Sequence, residues 1–302
     1  MKKIVIPGGS GFLGRALIEA LPRQEWEAVV LTREPGPARD GVTELAWDGR
    51  NVGDWAAALD GAEAIVNLAG RSINTRFTAP NRSAIVNSRV HSVSAVAEAI
   101  GRCSTPPRVW VQASAVGYYG DRGEELFDEN SVPGIGFVAD VCRAWEQEAQ
   151  RVETPSTRRV ILRIGPVLGR GGGALERLLP IVRLGAGGPV GSGRQYFSWI
   201  HLQDMIGLIL WALSHESAAG VYNAVAPGAV NNAGLMRALR KAAGVPFGLP
   251  APALAVRLGA PILGVDASLA LEGQRCTPRR ATEQGFEFRF ADLPDALADL
   301  LD

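Results

Sequence analysis

Three glycines near the start of the chain restrict its fold more than any other feature. Gly8, Gly11 and Gly14 lie in the stretch Gly8-Gly9-Ser10-Gly11-Phe12-Leu13-Gly14. The apolar run Lys3-Ile4-Val5-Ile6-Pro7 before them reads as a buried parallel strand, and Ala16-Leu17-Ile18-Glu19-Ala20-Leu21 after them has helical spacing. Glycines at this spacing between a strand and a helix meet three needs. The chain must reverse, its backbone must come close to a pyrophosphate, and the helix must pack tightly on the strand. The free N–H groups and positive dipole end of the helix then face phosphate oxygens. Gly8, Gly11, Phe12, Leu13 and Gly14 are therefore the first candidates for cofactor contact.

The rest of the chain continues the alternation. Residues 28–32, 64–68, 108–112 and 159–163 read as strands, separated by helical patterns near 54–59, 82–101 and 137–150. Repeated β-α units imply an α/β fold with a doubly wound parallel sheet, whose ligands bind at the carboxyl edge. After Arg163 the texture changes. Glycine-rich segments (169–173 and 185–193) and a proline-rich one (246–261) suggest a smaller lobe over that edge. The expected organisation is a nucleotide-binding domain over 1–165, to which 198–226 returns. The lobe takes 166–197 and 227–302, including a helix-rich 231–272 region and a closing strand-helix from Phe286 to Leu301.

Composition narrows the function classes. The 302 residues carry no formal net charge, so nothing marks a nucleic-acid or anionic-membrane surface. Cys103, Cys142 and Cys276, like His91, His201 and His215, are scattered without metal-ligand spacing. The longest apolar stretch, Met205 to Leu213, is too short to cross a bilayer. These features lead to the expectation of a cytoplasmic protein with a small-molecule substrate and no metal, nucleic-acid or membrane partner.

The cofactor's identity turns on the end of the second strand. NAD-selective sheets carry an acidic residue there for the ribose 2′-hydroxyl, whereas this chain has Thr32-Arg33, suited to a 2′-phosphate. NADP(H) is the expected cofactor. Asp48, after the third strand, either reaches the adenine or closes a turn. Leu68-Ala69-Gly70 closes the fourth strand with small residues that let backbone approach the nicotinamide ribose.

These residues resemble the short-chain dehydrogenase/reductase (SDR) superfamily in its extended and atypical branches, with a Rossmann-type sheet and a C-terminal substrate lobe. The resemblance extends to Arg163-Ile164-Gly165-Pro166-Val167-Leu168-Gly169, Ser198-Trp199-Ile200-His201-Leu202-Gln203-Asp204 and Gly220-Val221-Tyr222-Asn223. More narrowly, Ser114-Ala115-Val116-Gly117-Tyr118-Tyr119-Gly120, Trp145-Glu146, Gly171-Gly172-Gly173-Ala174-Leu175 and Gly285-Phe286-Glu287-Phe288 resemble a bacterial and mitochondrial group. That group is labelled nucleoside-diphosphate-sugar epimerases (YfcH-like). The resemblance implies a homodimer through the helices near 82–101 and 137–150, and a structural role for His201.

Two departures stand out. The superfamily's catalytic tyrosine and the lysine four residues later fall on Phe137 and Val141, and the only lysines are Lys2, Lys3 and Lys241. What remains is Ser114, placed to polarise a carbonyl and contact the cofactor, and Tyr118, a phenol able to donate a proton. The arginine that often binds a substrate diphosphate is replaced by Phe197. Arg194, Arg89 and Tyr119 are the remaining substrate candidates. Two functions fit. One is an NADP(H)-dependent oxidoreductase or epimerase-like enzyme acting on a small carbonyl or hydroxyl compound. The other is an NADP(H)-binding sensor or interaction protein with little turnover.

Overall fold

The computed structural model describes residues 1–37 and 41–301. Its centre is a seven-stranded parallel sheet. We label its strands β1 (Lys2–Pro7), β2 (Trp26–Thr32), β3 (Val42–Ala46), β4 (Ala64–Asn67), β5 (Val109–Ala115), β6 (Arg158–Ile164) and β7 (Gly220–Ala224). The main helices are α1 (Phe12–Ala20), α2 (Ala79–Gly101), α3 (Phe137–Arg151) and α4 (Leu202–Ser214).

Spatial order is β7-β6-β5-β4-β1-β2-β3. The chain winds outward from β1 through β2 to β3, then returns to the other side of β1 at β4. This reversal opens a crevice beyond the carboxyl ends of β1 and β4, directly at the glycine turn.

Side chains of the central strands alternate between two cores, as a period of two requires. Ile4 and Ile6 of β1 join Val109 and Val111 of β5 on the face covered by α1 and α4, with Leu17, Met205 and Leu208. Val5 and Trp110 face the opposite way, against Val93, Val96 and Trp145 of α2 and α3. Both faces are thus dry, which explains strands that read as continuous apolar runs.

The lobe above the carboxyl edge has its own core. Leu175, Trp199, Leu235, Leu239, Leu293 and Leu297 pack together, drawing on the helices Leu175–Ile181, Asn232–Ala242 and Leu293–Leu301. The short strand Tyr196–Phe197 pairs antiparallel with Val230–Asn231. The expected strand near Phe286 does not form. Phe286 and Phe288 instead pack edge to face with each other, and Phe286 lies 6.0 Å from the Trp211 ring on α4. Among the described residues no helix is long and apolar enough to cross a membrane.

His201 caps α4, its Nδ1 accepting the Gln203 N–H at 3.1 Å. The ring is buried against Phe290, and its Nε2 lies 3.4 Å from Asp299 Oδ2. Burial pushes the imidazole pKa down, against the opposing pull of the Asp299 and Asp204 carboxylates. The unfolded chain protonates His201 near its ordinary value of about 6.5, while the folded chain resists. The stability it contributes is present above that value and is lost as pH falls through the lowered folded pKa. Urea midpoints should therefore fall more steeply from pH 7.5 to 5.5 in the wild type than in His201→Asn, which keeps a capping acceptor. Equal slopes would show that His201 does not carry this dependence.

Candidate functional site

The glycine turn is built against the end of β4. Gly8 has φ +78°, and a Cβ there would sit 2.9 Å from the Ala69 nitrogen and the Leu68 carbonyl carbon. A Cβ on Gly14 would sit 2.4 Å from Gly9 Cα and O, so α1 lies directly on the turn. Gly11 is the N-cap residue and no side chain caps the helix. The first N–H groups of α1 are thus left for an anion. Leu13 and Phe12 pack toward the core, with Phe12 filling the space below the 169–173 loop. A Cβ on Gly172 would lie 2.4 Å from the Phe12 ring, which accounts for that glycine run.

At the end of β2 the Thr32 hydroxyl lies 3.3 Å from the Ser10 hydroxyl. Arg33 follows, exposed at the crevice rim, and it pairs with no carboxylate among the described residues. Asp48 closes a turn. Its carboxylate accepts the N–H groups of Arg50 and Asn51, each at 2.8 Å, and these bonds lower its pKa, Asn51's most. Of the two roles open to Asp48 in the sequence, this is the one its hydrogen bonds serve. The exit of β4 is set by buried Asn67, whose Oδ1 accepts from Ala69 N and whose Nδ2 donates to Gln112 Oε1. That fixes Leu68, Ala69 and Gly70 beside the glycine turn.

A cavity of about 780 Å³ opens beyond this edge. Its floor is formed by Phe12, the β5 exit (Ala115–Gly117) and the β6 exit (Ile164–Pro166), and the lobe contributes Tyr196, Phe197 and residues 268–269 and 272–274. Phe137 lines it, 4.7 Å from the Phe77 ring, with the Arg82 guanidinium 4.6 Å above it. Val141 is buried and does not reach the cavity. A hydrocarbon ring thus stands where a phenol was the precedent.

The structure does not bring the proposed catalytic pair to this cavity. Ser114 is 3 % exposed, and its hydroxyl donates to Glu146 Oε1 at 2.6 Å. Glu146 also accepts from Arg163 Nε at 2.9 Å and Nη2 at 2.8 Å. Arg163 Nη1 reaches the Tyr119 hydroxyl at 2.9 Å, and that hydroxyl donates to Asn223 Oδ1 at 2.6 Å. Asn223 N in turn donates to Glu129 Oε1 at 3.0 Å. The network ties β5, α3, β6 and β7 together beneath the cavity floor.

Tyr118 and Tyr119 belong to the same assembly. The short 3-10 turn Val116–Tyr119 directs both rings toward Arg163, whose guanidinium lies 3.4 Å from the Tyr118 centroid. Burial pushes the Tyr119 phenol well above its ordinary pKa, despite the neighbouring Arg163 charge. Ser114, Tyr118 and Tyr119 lie outside the wall of this cavity. Their sequence spacing was suggestive, but a buried arginine needed partners and recruited them.

Arg194 lies apart from the cavity too. It is exposed, pairs with Glu124 at 2.8 Å, and does not line the cavity. The 185–193 loop is held to a neighbouring one by its backbone. Gly188 N donates to Leu249 O and Gly191 N to Ala251 O, so their backbone is used between loops. Arg89 lies elsewhere, at the β4 exit, over the Trp145 ring. Phe77, Arg82 and Tyr196 were missed by sequence reasoning. A Phe-x-x-x-x-Arg spacing across a helix start carries no recognisable signal.

Comparison with known proteins agrees with this architecture. Residues 4–225 match the NAD dependent epimerase/dehydratase family, and residues 251–300 match a domain of unknown function, DUF1731. The chain is 38% identical to the chloroplastic epimerase family protein SDR39U1 homolog of Arabidopsis thaliana, covering 99% of this chain and 86% of that protein. It is 36% identical to human epimerase family protein SDR39U1, covering 99% of both chains. The crystal structure of that human protein (isoform 2) with NADPH superposes with a TM-score of 0.88 at 35% identity, covering 99% of both chains. A nucleoside-diphosphate sugar epimerase from Corynebacterium glutamicum superposes with a TM-score of 0.80 at 32% identity, covering 99% of this chain and 58% of that one. With a glycine turn at the switch point of a parallel sheet and family similarity along most of its length, this chain belongs to the NAD dependent epimerase/dehydratase family.

Proposed function

We propose that this protein binds NADP(H) along the carboxyl edge and uses it on a small carbonyl or hydroxyl compound held in the 780 Å³ cavity. The observation that carries the cofactor choice is Arg33, a guanidinium just past the end of β2 that pairs with no carboxylate among the described residues, near the uncapped start of α1 that lies ready for the pyrophosphate. The NADPH in the structure of the human relative supports the same reading. When bound, this cofactor supplies or accepts a hydride.

The chain's own contribution is a mixed polar and apolar chamber and a limited set of proton donors. Phe137 has no proton to give, and Ser114 and Tyr118 are held elsewhere. The side chains on the cavity wall that can carry a transferable proton include Tyr196, Ser268, Glu176 and Glu272, while the Ser198 hydroxyl is tied to Gln274 O and Cys276 N. No lysine lines the wall to draw a proton from a phenol.

Titration with NADPH and NADH tests the cofactor assignment. Charge-assisted hydrogen bonds contribute about 1.5–3 kcal/mol, so NADPH should bind about ten- to a hundredfold tighter than NADH. The preference should disappear in Arg33→Ala. Equal affinities in the wild type would refute the assignment. A carbonyl screen following NADPH consumption then addresses turnover. The hydrocarbon surface of Phe137 is the observation that favours the sensor reading. That reading becomes the better account if NADPH binds tightly and no carbonyl is reduced.

A further inference from the structure

The geometry points to Arg89 as the residue that grips the nicotinamide-side half of the cofactor, a role its helix position would otherwise leave to solvent. This rests on the cofactor reading above.

Arg89 projects from the middle of α2 into the seam with α3, its guanidinium 4.9 Å from the Trp145 centroid. It reaches the exit of β4, where a Cβ on Gly70 would lie 3.5 Å from Cζ. On the far side of the same exit stands Gly8, whose own missing Cβ would touch Ala69. The glycine turn, the strand exit and the cation therefore form one continuous line. Arg33 marks the adenosine end of the crevice at β2, so β4 lies toward the opposite, nicotinamide end.

The state of its donors makes Arg89 unusual. Nη1 donates to Arg71 O at 3.0 Å and Ile85 O at 3.1 Å. Among the described residues Nε and Nη2 make no hydrogen bond and no carboxylate pairs with the group. Burial pulls the guanidinium pKa down, yet an arginine stays charged. The guanidinium is half-buried in the seam, with donors still free for the oxygen acceptors of a bound anion. Pinning the 70–71 loop explains only Nη1, and Ser88 already fixes that loop by accepting Arg71 N at 3.0 Å.

Two ligands separate this role from a structural one. NADPH has both halves of the dinucleotide, whereas 2′,5′-ADP has only the adenosine half with its 2′-phosphate. Calorimetric titration of Arg89→Met, which keeps an apolar stem over Trp145, should show NADPH weakened about ten- to a hundredfold. Binding of 2′,5′-ADP should stay within about twofold of wild type, as should be true of no merely structural lesion. The Arg33→Ala variant should weaken both ligands. Arg89→Lys keeps the charge without the fork and should recover part of the NADPH affinity; if Arg89→Met does not fold, Arg89→Lys alone should still lose NADPH affinity selectively. Unchanged NADPH binding, or equal loss of both ligands, overturns the assignment. Wild-type protein that binds 2′,5′-ADP but gains nothing from the nicotinamide half overturns it too. Wild-type protein that binds neither ligand refutes the cofactor reading itself and the role of Arg89 with it.

Discussion

Glu146→Ala should remove about 3–5 kcal/mol of stability, the usual consequence of stranding one partner of a buried ion pair. Glu146 and Arg163 are each 4 % exposed, and the carboxylate takes two guanidinium N–H groups and the Ser114 hydroxyl. Its loss leaves a charge in the interior whose remaining acceptors among the described residues are the Tyr119 hydroxyl and the Glu129 carbonyl oxygen. Urea unfolding should show the midpoint falling sharply with little change in slope. Removing both charges with Glu146→Leu and Arg163→Met should be far milder, because apolar replacement of a whole buried pair is often close to neutral. A single-variant loss below about 1 kcal/mol, the scale of an exposed pair, would contradict the buried-pair account.

Gly14→Val should disrupt cofactor binding as well as stability. The added Cβ meets the Gly9 backbone at 2.4 Å, and a backbone atom on each side cannot swing away as a side chain would. Overpacking of this kind commonly costs about 1–3 kcal/mol, and α1 must lift off the turn to accommodate it. The helix N-terminus then leaves the line formed by Gly8 and the β4 exit. NADPH affinity should fall at least about tenfold, the equivalent of losing one good charge-assisted bond. Gly101→Ala, at the end of α2 with nothing within 4 Å of a new Cβ, is the matched control and should leave both properties intact. If Gly14→Val binds NADPH like the control, the turn is not the pyrophosphate seat.

Both expectations rest on contacts of different range, and the same distinction separates what could be read in advance from what could not. The strand-turn-helix at residues 2–20 was legible because its causes are local. Strand burial on two faces demands an apolar run, and the turn demands glycine where φ is positive at Gly8 and where a Cβ on Gly14 would strike Gly9. Arg33 and the loss of a proton-bearing side chain at Phe137 were legible for the same reason, since each depends on a position counted along one element.

The destinations of Ser114, Tyr118, Tyr119 and Arg194 were decided only by the tertiary structure. Ser114 meets Glu146 32 positions later, Tyr119 meets Asn223 104 positions later, and Arg194 meets Glu124 70 positions earlier. No periodicity encodes such choices. Those of Ser114, Tyr118 and Tyr119 are made when the buried Arg163 guanidinium must collect partners from whichever strands and helices surround it, whereas Arg194 meets Glu124 at the surface. The Phe286–Phe288 segment likewise has strand-like composition but finds Trp211 rather than a partner strand. By itself the sequence determined the sheet, its glycine turn and the seat for a nucleotide, because those follow from backbone geometry over a few residues. Tertiary packing decided which polar side chains face the cavity and which are consumed beneath it, because burying a charge sets its partners by proximity in space.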